Sequence, residues 1–257
     1  MQHCYENNFD IDQPVPPGPI DIHTHLLPGI DDGCQTVLES IEAINLLKAA
    51  GFTGAICTPH IWPYNYPHNT TEHIYAWTMQ LTRDLQQHDV EFVLWPGGEL
   101  HFDKDAMSWL TTQPVPTLAG SNFVLFDFWE DKWPAKWLDE VINWLFQNEY
   151  QPVLAHPERY GNIKDVYDQL IKLCDQGVML QGNLKSITGE ELYLADQLLM
   201  RLINEDRYTF LASDTHGPDS IHPRIEGINI FKEEYGQDLL DTLINQNPRT
   251  LILRTDA

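Results

Sequence analysis

His23 and His25 close the short apolar run Ile20-Asp21-Ile22-His23-Thr24-His25, and similar endings recur along the chain. Thr58-Pro59-His60, Gly98-Glu99, Phe126-Asp127, Ala155-His156-Pro157 and Ser213-Asp214-Thr215-His216 each set a His, Asp or Glu at the end of such a run. A seventh run ends on Gln181 and Asn183. Neutral imidazole combined with carboxylate suits zinc, manganese or iron, whereas an all-oxygen shell would point to calcium or magnesium. Residues two apart on a strand share a face, so His23 with His25, and Asp214 with His216, can each grip one ion. Any one of these histidines alone reads as a satisfied loop or core residue. Six such endings together read as one site, because independent histidines have no reason to recur at strand ends, where a βα-barrel builds its active site.

These side chains need elements that bring their strand ends to one rim. Strand candidates are the run from Ile20, then 54–57, 91–94, 123–126, 152–155, 178–180 and 209–212. Apolar periodicity predicts helices near 36–50, 71–87, 135–148, 163–176, 189–205 and 235–245, each beside a strand candidate. In the first helix Leu38, Ile41, Ile44 and Leu47 are expected on the buried face, with Gly51 as the stop. Alternating strands and helices give an α/β fold with a parallel sheet. Seven strands are one short of the eight-stranded barrel, so a distorted or incomplete barrel is expected. Residues 1–19, with Pro14, Pro16, Pro17, Gly18 and Pro19, read as an N-terminal arm, and 20–257 as a single barrel domain.

Composition narrows the function classes. A length of 257 residues is ordinary for one barrel. The balance of 38 acidic against 15 basic residues, a formal charge of -23, argues against nucleic-acid partners and anionic membranes, which are bound through Lys and Arg. Cys4, Cys34, Cys57 and Cys174 form no C-x-x-C pair, and none is followed six residues later by Arg. Neither a thiolate zinc site nor a dithiol redox site is suggested, and the phosphocysteine loop lacks its Arg, so any phosphate chemistry would fall to metal. No run approaches the roughly 20 apolar residues of a membrane span, and no basic-then-apolar leader opens the chain. A soluble cytoplasmic protein, without membrane insertion, is the expectation.

The ordered motifs D-I-H-T-H, T-P-H, G-G-E, A-H-P-E-R-Y and S-D-T-H resemble the PHP (polymerase and histidinol phosphatase) superfamily. Within it, L-P-G-I-D-D-G and H-P-E-R-Y are similar to the manganese-dependent tyrosine phosphatases of bacterial capsule and exopolysaccharide operons. The resemblance spans roughly residues 20–230; H-x-H alone would be weak, but five motifs in order are specific. It implies a distorted (β/α)7 TIM-like barrel, the PHP fold, with three divalent ions, manganese by resemblance and iron or zinc by donor chemistry. By this resemblance His23, His25, Glu99 and Asp214 would hold one ion, and Glu99 would bridge to a second held by Asp127 and His156. Asp32, His60 and His216 would hold the third, with Asp31 the weaker substitute for Asp32. The resembling phosphatases usually have Glu where this chain has Asp127, one methylene shorter. Ligand distances of about 2.0–2.2 Å leave little slack, so either the backbone moves in or the ion shifts. Asp127 could otherwise be a solvated strand-end residue.

Two arginines stand near these motifs. Arg159, three residues past His156, has the fork geometry for phosphate oxygens, or could pair with Glu158 or another surface acid. Arg224 falls where the resembling phosphatases bind phosphate, or serves a surface ion pair. Trp62, Tyr64 and Tyr66 after His60, and Phe128, Trp129 and Trp133 after Asp127, either wall a groove for a tyrosyl ring or pack the loops. His68, His73, His101 and His222, near the ligand motifs, are taken as bystanders, each either supporting a ligand from behind or lying on the surface. The resemblance implies hydrolysis of phosphotyrosine by a metal-activated water, on an autophosphorylated bacterial tyrosine kinase. A histidinol-phosphate type of small-molecule phosphatase, a noncatalytic metal-binding module and, less consistent with the charge, a nuclease are the alternatives. The number of subunits is not legible.

Overall fold

The computed structural model describes residues 15–190 and 194–252; residues 1–14 of the expected arm lie outside them. Among the described residues nine strands alternate with helices: β1 (Ile20–Thr24), β2 (Gly54–Cys57), β3 (His60–Ile61), β4 (Val93–Pro96), β5 (Glu99–His101), β6 (Phe123–Asp127), β7 (Gln151–Ala155), β8 (Met179–Asn183) and β9 (Phe210–Ala212). All pairings are parallel, in the orders β1-β2-β4 and β3-β5-β6-β7-β8-β9. Thr58-Pro59 separates β2 from β3, and Gly97-Gly98 separates β4 from β5, so each pair is one interrupted barrel position. Backbone bonds bridge the interruptions, from Thr58 N to Thr24 O at 2.8 Å and from Glu99 N to Pro59 O at 3.1 Å. Nine strands therefore occupy seven positions, a distorted (β/α)7 barrel. Its seam between β1 and β9 is held by the Thr24–Thr215 bridge, with His25 N donating to Thr215 O and Asp214 N to His23 O.

The interior below the rim is packed rather than open. Ile20, Ile22, Ile56, Trp95, Phe123, Leu125, Val153, Ala155, Phe210 and Ala212 form an inner core. The alternate strand residues, among them Ala55, Leu94, Val124, Leu154, Leu180 and Leu211, face the helices in a second core. Burial on both faces explains why the strands read as unbroken apolar runs.

The helices are α1 (Val37–Ala49), α2 (Thr71–Gln87), α3 (Ala106–Leu110), α4 (Ala135–Gln147), α5 (Val166–Asp175), α6 (Ala195–Asn204), α7 (Ile221–Tyr235), α8 (Gln237–Asp241) and α9 (Asn247–Ile252). Thr36 and Thr70 cap α1 and α2, their hydroxyls accepting from Glu39 N and His73 N. The buried face of α1 is Ser40, Ala43, Ile44 and Leu47, whereas Leu38 is 69% exposed. Ile44 and Leu47 are buried as expected and Ile41 is partly buried against the same core, so only Leu38 departs, with the small side chains of Ser40 and Ala43 filling that side of the face. The stretch expected as one helix at 235–245 is instead the end of α7, the short α8 and a π-type turn at 242–246. Gly236, at φ 88°, breaks it. No helix among the described residues is long and apolar enough to cross a membrane.

Candidate metal centre

The strand ends converge at one rim. His23 Nε2 lies 3.2 Å from His25 Nε2, and each of these nitrogens is 3.4–3.5 Å from Glu99 Oε2 and 3.4 Å from Asp214 Oδ1. His23, His25 and Asp214 form one group of donor atoms within 4.8 Å, and Glu99 Oε2 lies against both imidazole nitrogens. A second group comprises His25, Asp32, His60 and His216, and a third His23, Glu99 and His156. Eight of the nine candidate ligands thus enter at least one group of donor atoms within 4.8 Å, with His23 and His25 each shared between groups. Asp127 enters none; its Oδ1 accepts from His101 Nδ1 at 2.9 Å.

Surrounding residues fix which imidazole nitrogen faces the rim. His23 Nδ1 lies 2.8 Å from Gln181 Oε1, and His25 Nδ1 lies 2.8 Å from Asp31 Oδ2. An amide oxygen and a carboxylate only accept, so both Nδ1 atoms carry hydrogen and both Nε2 atoms are left as donors to an ion. Asp31 is therefore an orienting carboxylate, and also accepts from Gly33 N and His60 N. Gln181 Nε2 donates to Asn183 Oδ1, and Asn183 Nδ2 to Asp214 Oδ2, so the polar end of β8 ties His23 to Asp214. His216 Nδ1 bonds the Asp214 carbonyl and leaves Nε2 3.4 Å from Asp32 Oδ1.

The backbone is bent to make this approach. His156 (φ 34°) and Asp214 (φ 53°) occupy the left-handed region that side chains other than glycine rarely adopt. Gly33 has no room for a side chain, since a Cβ there would lie 2.2 Å from His25 O.

Electrostatics favour positive charge at the rim. Burial alone would push Glu99 and Asp214 up, yet the facing imidazoles, His23 foremost, hold both well below the usual carboxylate range. Burial works against charge on His25 and His60, but Asp31 holds His25 up to about 9, and Glu99 and Asp32 hold His60 up to about 12. Two buried polar atoms here have no hydrogen-bond partner, Glu99 Oε2 and His156 Nδ1. The former lies 2.9 Å from His60 Nδ1 without the alignment of a hydrogen bond. Orphaned buried donors and acceptors are unfavourable unless an ion or water completes them, so the residues present fit divalent metal. Thiol chemistry is not available: Cys34 and Cys57 are buried, and burial pushes the Cys34 thiol up to about 12.

The two arginines have separated roles. Arg159 is 42% exposed, with Nη1 3.7 Å from Asp214 Oδ2. Its sequence neighbour Glu158 is buried and accepts from Asn183 N, Ser186 Oγ and Tyr208 OH, while the acid that Arg159 approaches at 3.7 Å is Asp214. Arg224 is buried and braces the loop behind Asp214, donating to the carbonyls of Ser213, Asp214 and Ser220.

The aromatic residues divide as well. Phe128 is buried and stacks on Tyr160, with Trp133 edge-on to it. Tyr66 stacks over His60, while Tyr64 and Trp129 are 74% and 58% exposed beside the rim. Tyr64 and Tyr66 help wall a groove of about 450 Å³ that reaches His101.

The family model for capsular polysaccharide synthesis, CpsB/CapC, matches residues 19–253. The chain belongs to the CpsB/CapC family. Relatives include tyrosine-protein phosphatase YwqE of Bacillus subtilis (strain 168), 28% identical over 238 residues and 91% of each chain. Tyrosine-protein phosphatase CpsB of Streptococcus agalactiae serotype III is 24% identical, over 91% of this chain and 98% of the relative. Among solved structures, one from the pair YwqE of B. subtilis and CpsB of Streptococcus pneumoniae, described as unique metal-dependent tyrosine phosphatases, superposes with TM-score 0.78 at 24% identity. It covers 91% of this chain and 94% of its own. A phosphotriesterase homology protein of Escherichia coli, at TM-score 0.54 and 11% identity over 93% of this chain and 99% of its own, shares the fold. The CpsB/CapC chain thus carries its candidate centre on a barrel of widely shared architecture.

Some participants were missed in the sequence. The sequence marks Gln181 and Asn183 only as a strand ending, although their x-Q-x-N spacing has the same two-residue period as H-x-H. His101 stands two residues after Glu99 on β5, and that period was the signal available for it.

Proposed function

We propose that this chain is a metal-dependent protein-tyrosine phosphatase that acts in the cytoplasm on a phosphotyrosine protein, an autophosphorylated bacterial tyrosine kinase of capsule or exopolysaccharide synthesis. The observation that carries the reading is the convergence of buried strand-end side chains, with His23 Nε2 and His25 Nε2 3.2 Å apart and each within 3.5 Å of a Glu99 and an Asp214 carboxylate oxygen. The names of the relatives supply the substrate class. Three divalent ions, with manganese native, are assigned to His23, His25, Glu99 and Asp214; to Glu99, Asp127 and His156; and to Asp32, His60 and His216. When bound, such ions supply Lewis acidity, which polarises phosphoryl oxygens and makes water a nucleophile near neutral pH.

The chain's own residues do the rest. Asp31 and Gln181 hold the imidazoles of His25 and His23 in the ligating tautomer. Arg159, partly exposed and close to the Asp214 carboxylate, takes a phosphoryl oxygen through its guanidinium fork. Arg224 keeps Asp214 in its left-handed conformation through the loop carbonyls, so its contribution is to positioning. Tyr64, Tyr66 and Trp129 offer aromatic surface for the tyrosyl ring. A phenol leaves with a pKa of about 10, so a strong general acid is not required.

The test is phosphate release by the manganese-loaded chain from a phosphotyrosine peptide and from histidinol phosphate. The expected result is a higher kcat/KM on the peptide, lost after chelation and restored by manganese. A higher value on histidinol phosphate would assign the small-molecule activity instead, and turnover of neither would leave the noncatalytic module.

A further inference from the structure

His101 and Asp127 face each other because the register of β5 on β6 makes them direct partners, and Phe102 N donates to Asp127 O at 2.9 Å to lock that register. Their side chains are 6% and 2% exposed, and His101 Nδ1 lies 2.9 Å from Asp127 Oδ1. A carboxylate only accepts, so Nδ1 carries the hydrogen and the bond is charge-assisted. The ring cannot swing away easily. Trp62, from the loop after β3, lies 4.2 Å from it centroid to centroid, and Trp129, from the loop after β6, meets it edge-on at 5.9 Å. Two separate loops thus clamp one imidazole that is hydrogen-bonded to Asp127. Nearby, His156 Nδ1 and Glu99 Oε2 are the buried atoms without hydrogen-bond partners, and Glu99 begins the same strand two residues before His101.

An aspartate at a strand end has a short reach, and its carboxylate must be turned correctly to meet an ion. A neighbour that binds one oxygen sets the direction of the other. We propose that His101 is a positioning residue of the metal centre: its Nδ1–H holds Asp127 Oδ1 so that Oδ2 completes the ion site begun by Glu99 and His156. This rests on the metal-dependent reading above. The clamp also gives Trp62 and Trp129 a task, since they keep the histidine in register while forming part of the rim.

The experiment is manganese titration by calorimetry, with elemental analysis after desalting, on the full chain and on His101→Ala, His101→Asn and His101→Gln. Asparagine places its Nδ2 where the histidine has Nδ1, whereas glutamine places its nitrogen at the far side of the ring. His101→Ala and His101→Gln are expected to lose one ion per chain, or to bind it about 10–100-fold more weakly, with the other ions held as before. His101→Asn is expected to keep the wild-type stoichiometry. Wild-type binding by His101→Gln, or equal loss in His101→Asn and His101→Gln, would overturn the proposal, and these two variants decide it even where His101→Ala fails to fold. A wild-type chain that takes up no manganese would overturn the metal-centre reading itself, and this proposal with it.

Discussion

His23 and His25 can offer Nε2 to an ion because Gln181 and Asp31 hold the opposite nitrogen of each ring. Removing an orienting partner frees the ring and exposes its buried N–H, so Asp31→Ala is expected to weaken manganese binding about 10–100-fold. Asp31→Asn, which retains an accepting oxygen, should lose less; calorimetric titration checks the order. The two arginines should separate in the same way. Arg159→Ala removes a half-exposed guanidinium and is expected to lower kcat/KM on a phosphotyrosine peptide about 10–100-fold, the worth of one or two charged hydrogen bonds, with little change in Tm. Arg224→Ala strands three loop carbonyls in a buried setting and should lower Tm as well as activity, as thermal melts beside kinetics would show. Among single residues, the ligating types were legible from strand-end position alone, since period two fixes the face. The orienting residues were not, because a Gln, an Asn or a second Asp carries no signature until the strand opposite is known.

At the scale of elements, close approach of backbones explains Gly227 as it does Gly33. Gly227 on α7 meets the turn at Leu184–Thr188 so closely that a Cβ would lie 1.9 Å from Leu184 O. Gly227→Ala is therefore expected to destabilise by about 1–3 kcal/mol through overpacking. That is a fall in Tm of roughly 2–4 °C per kcal/mol for a chain of this size, read by calorimetry. The element order and most strands were legible because both faces of a barrel strand are buried and the runs are unbroken, as in Phe123–Asp127. The strand expected at 91–94 lies at Val93–Pro96, since Glu91 and Phe92 lead in without pairing. β3 and β5 went unseen because two or three residues, His60–Ile61 and Glu99–His101, are too few to show a period. Yet these interruptions set two candidate ligands at the rim, so what made the strands illegible is what positions His60 and Glu99. The helix α7 was missed for a related reason. Ile221, Arg224, Gly227 and Phe231 form its buried face, and only two of them are large and apolar.

Across the whole molecule, acidity and metal belong together. A formal charge of -23 surrounds a rim whose carboxylates hold imidazoles in the charged state. His25 and His60 are raised from 6.5 to about 9 and about 12 in the folded ion-free chain. A raised folded pKa adds stability that is whole below the unfolded value and fades as pH climbs through the folded one. The ion-free chain should therefore lose Tm as pH rises from 6.5 through 9, and the His60 share should persist to higher pH. Ions replace those protons, so manganese binding is expected to release protons and to tighten as pH rises over the same window. Calorimetry in buffers of different ionisation enthalpy measures that release, and melts with and without manganese measure the stability. The central claim is that strand ends scattered from His23 to His216 hold ions in one pocket. Anomalous diffraction from crystals grown with manganese tests it most directly. Peaks are expected within ligand distance of His23, His25, Glu99 and Asp214, and beside His60 and His156. Ordered crystals with no anomalous peak at that rim would contradict the account.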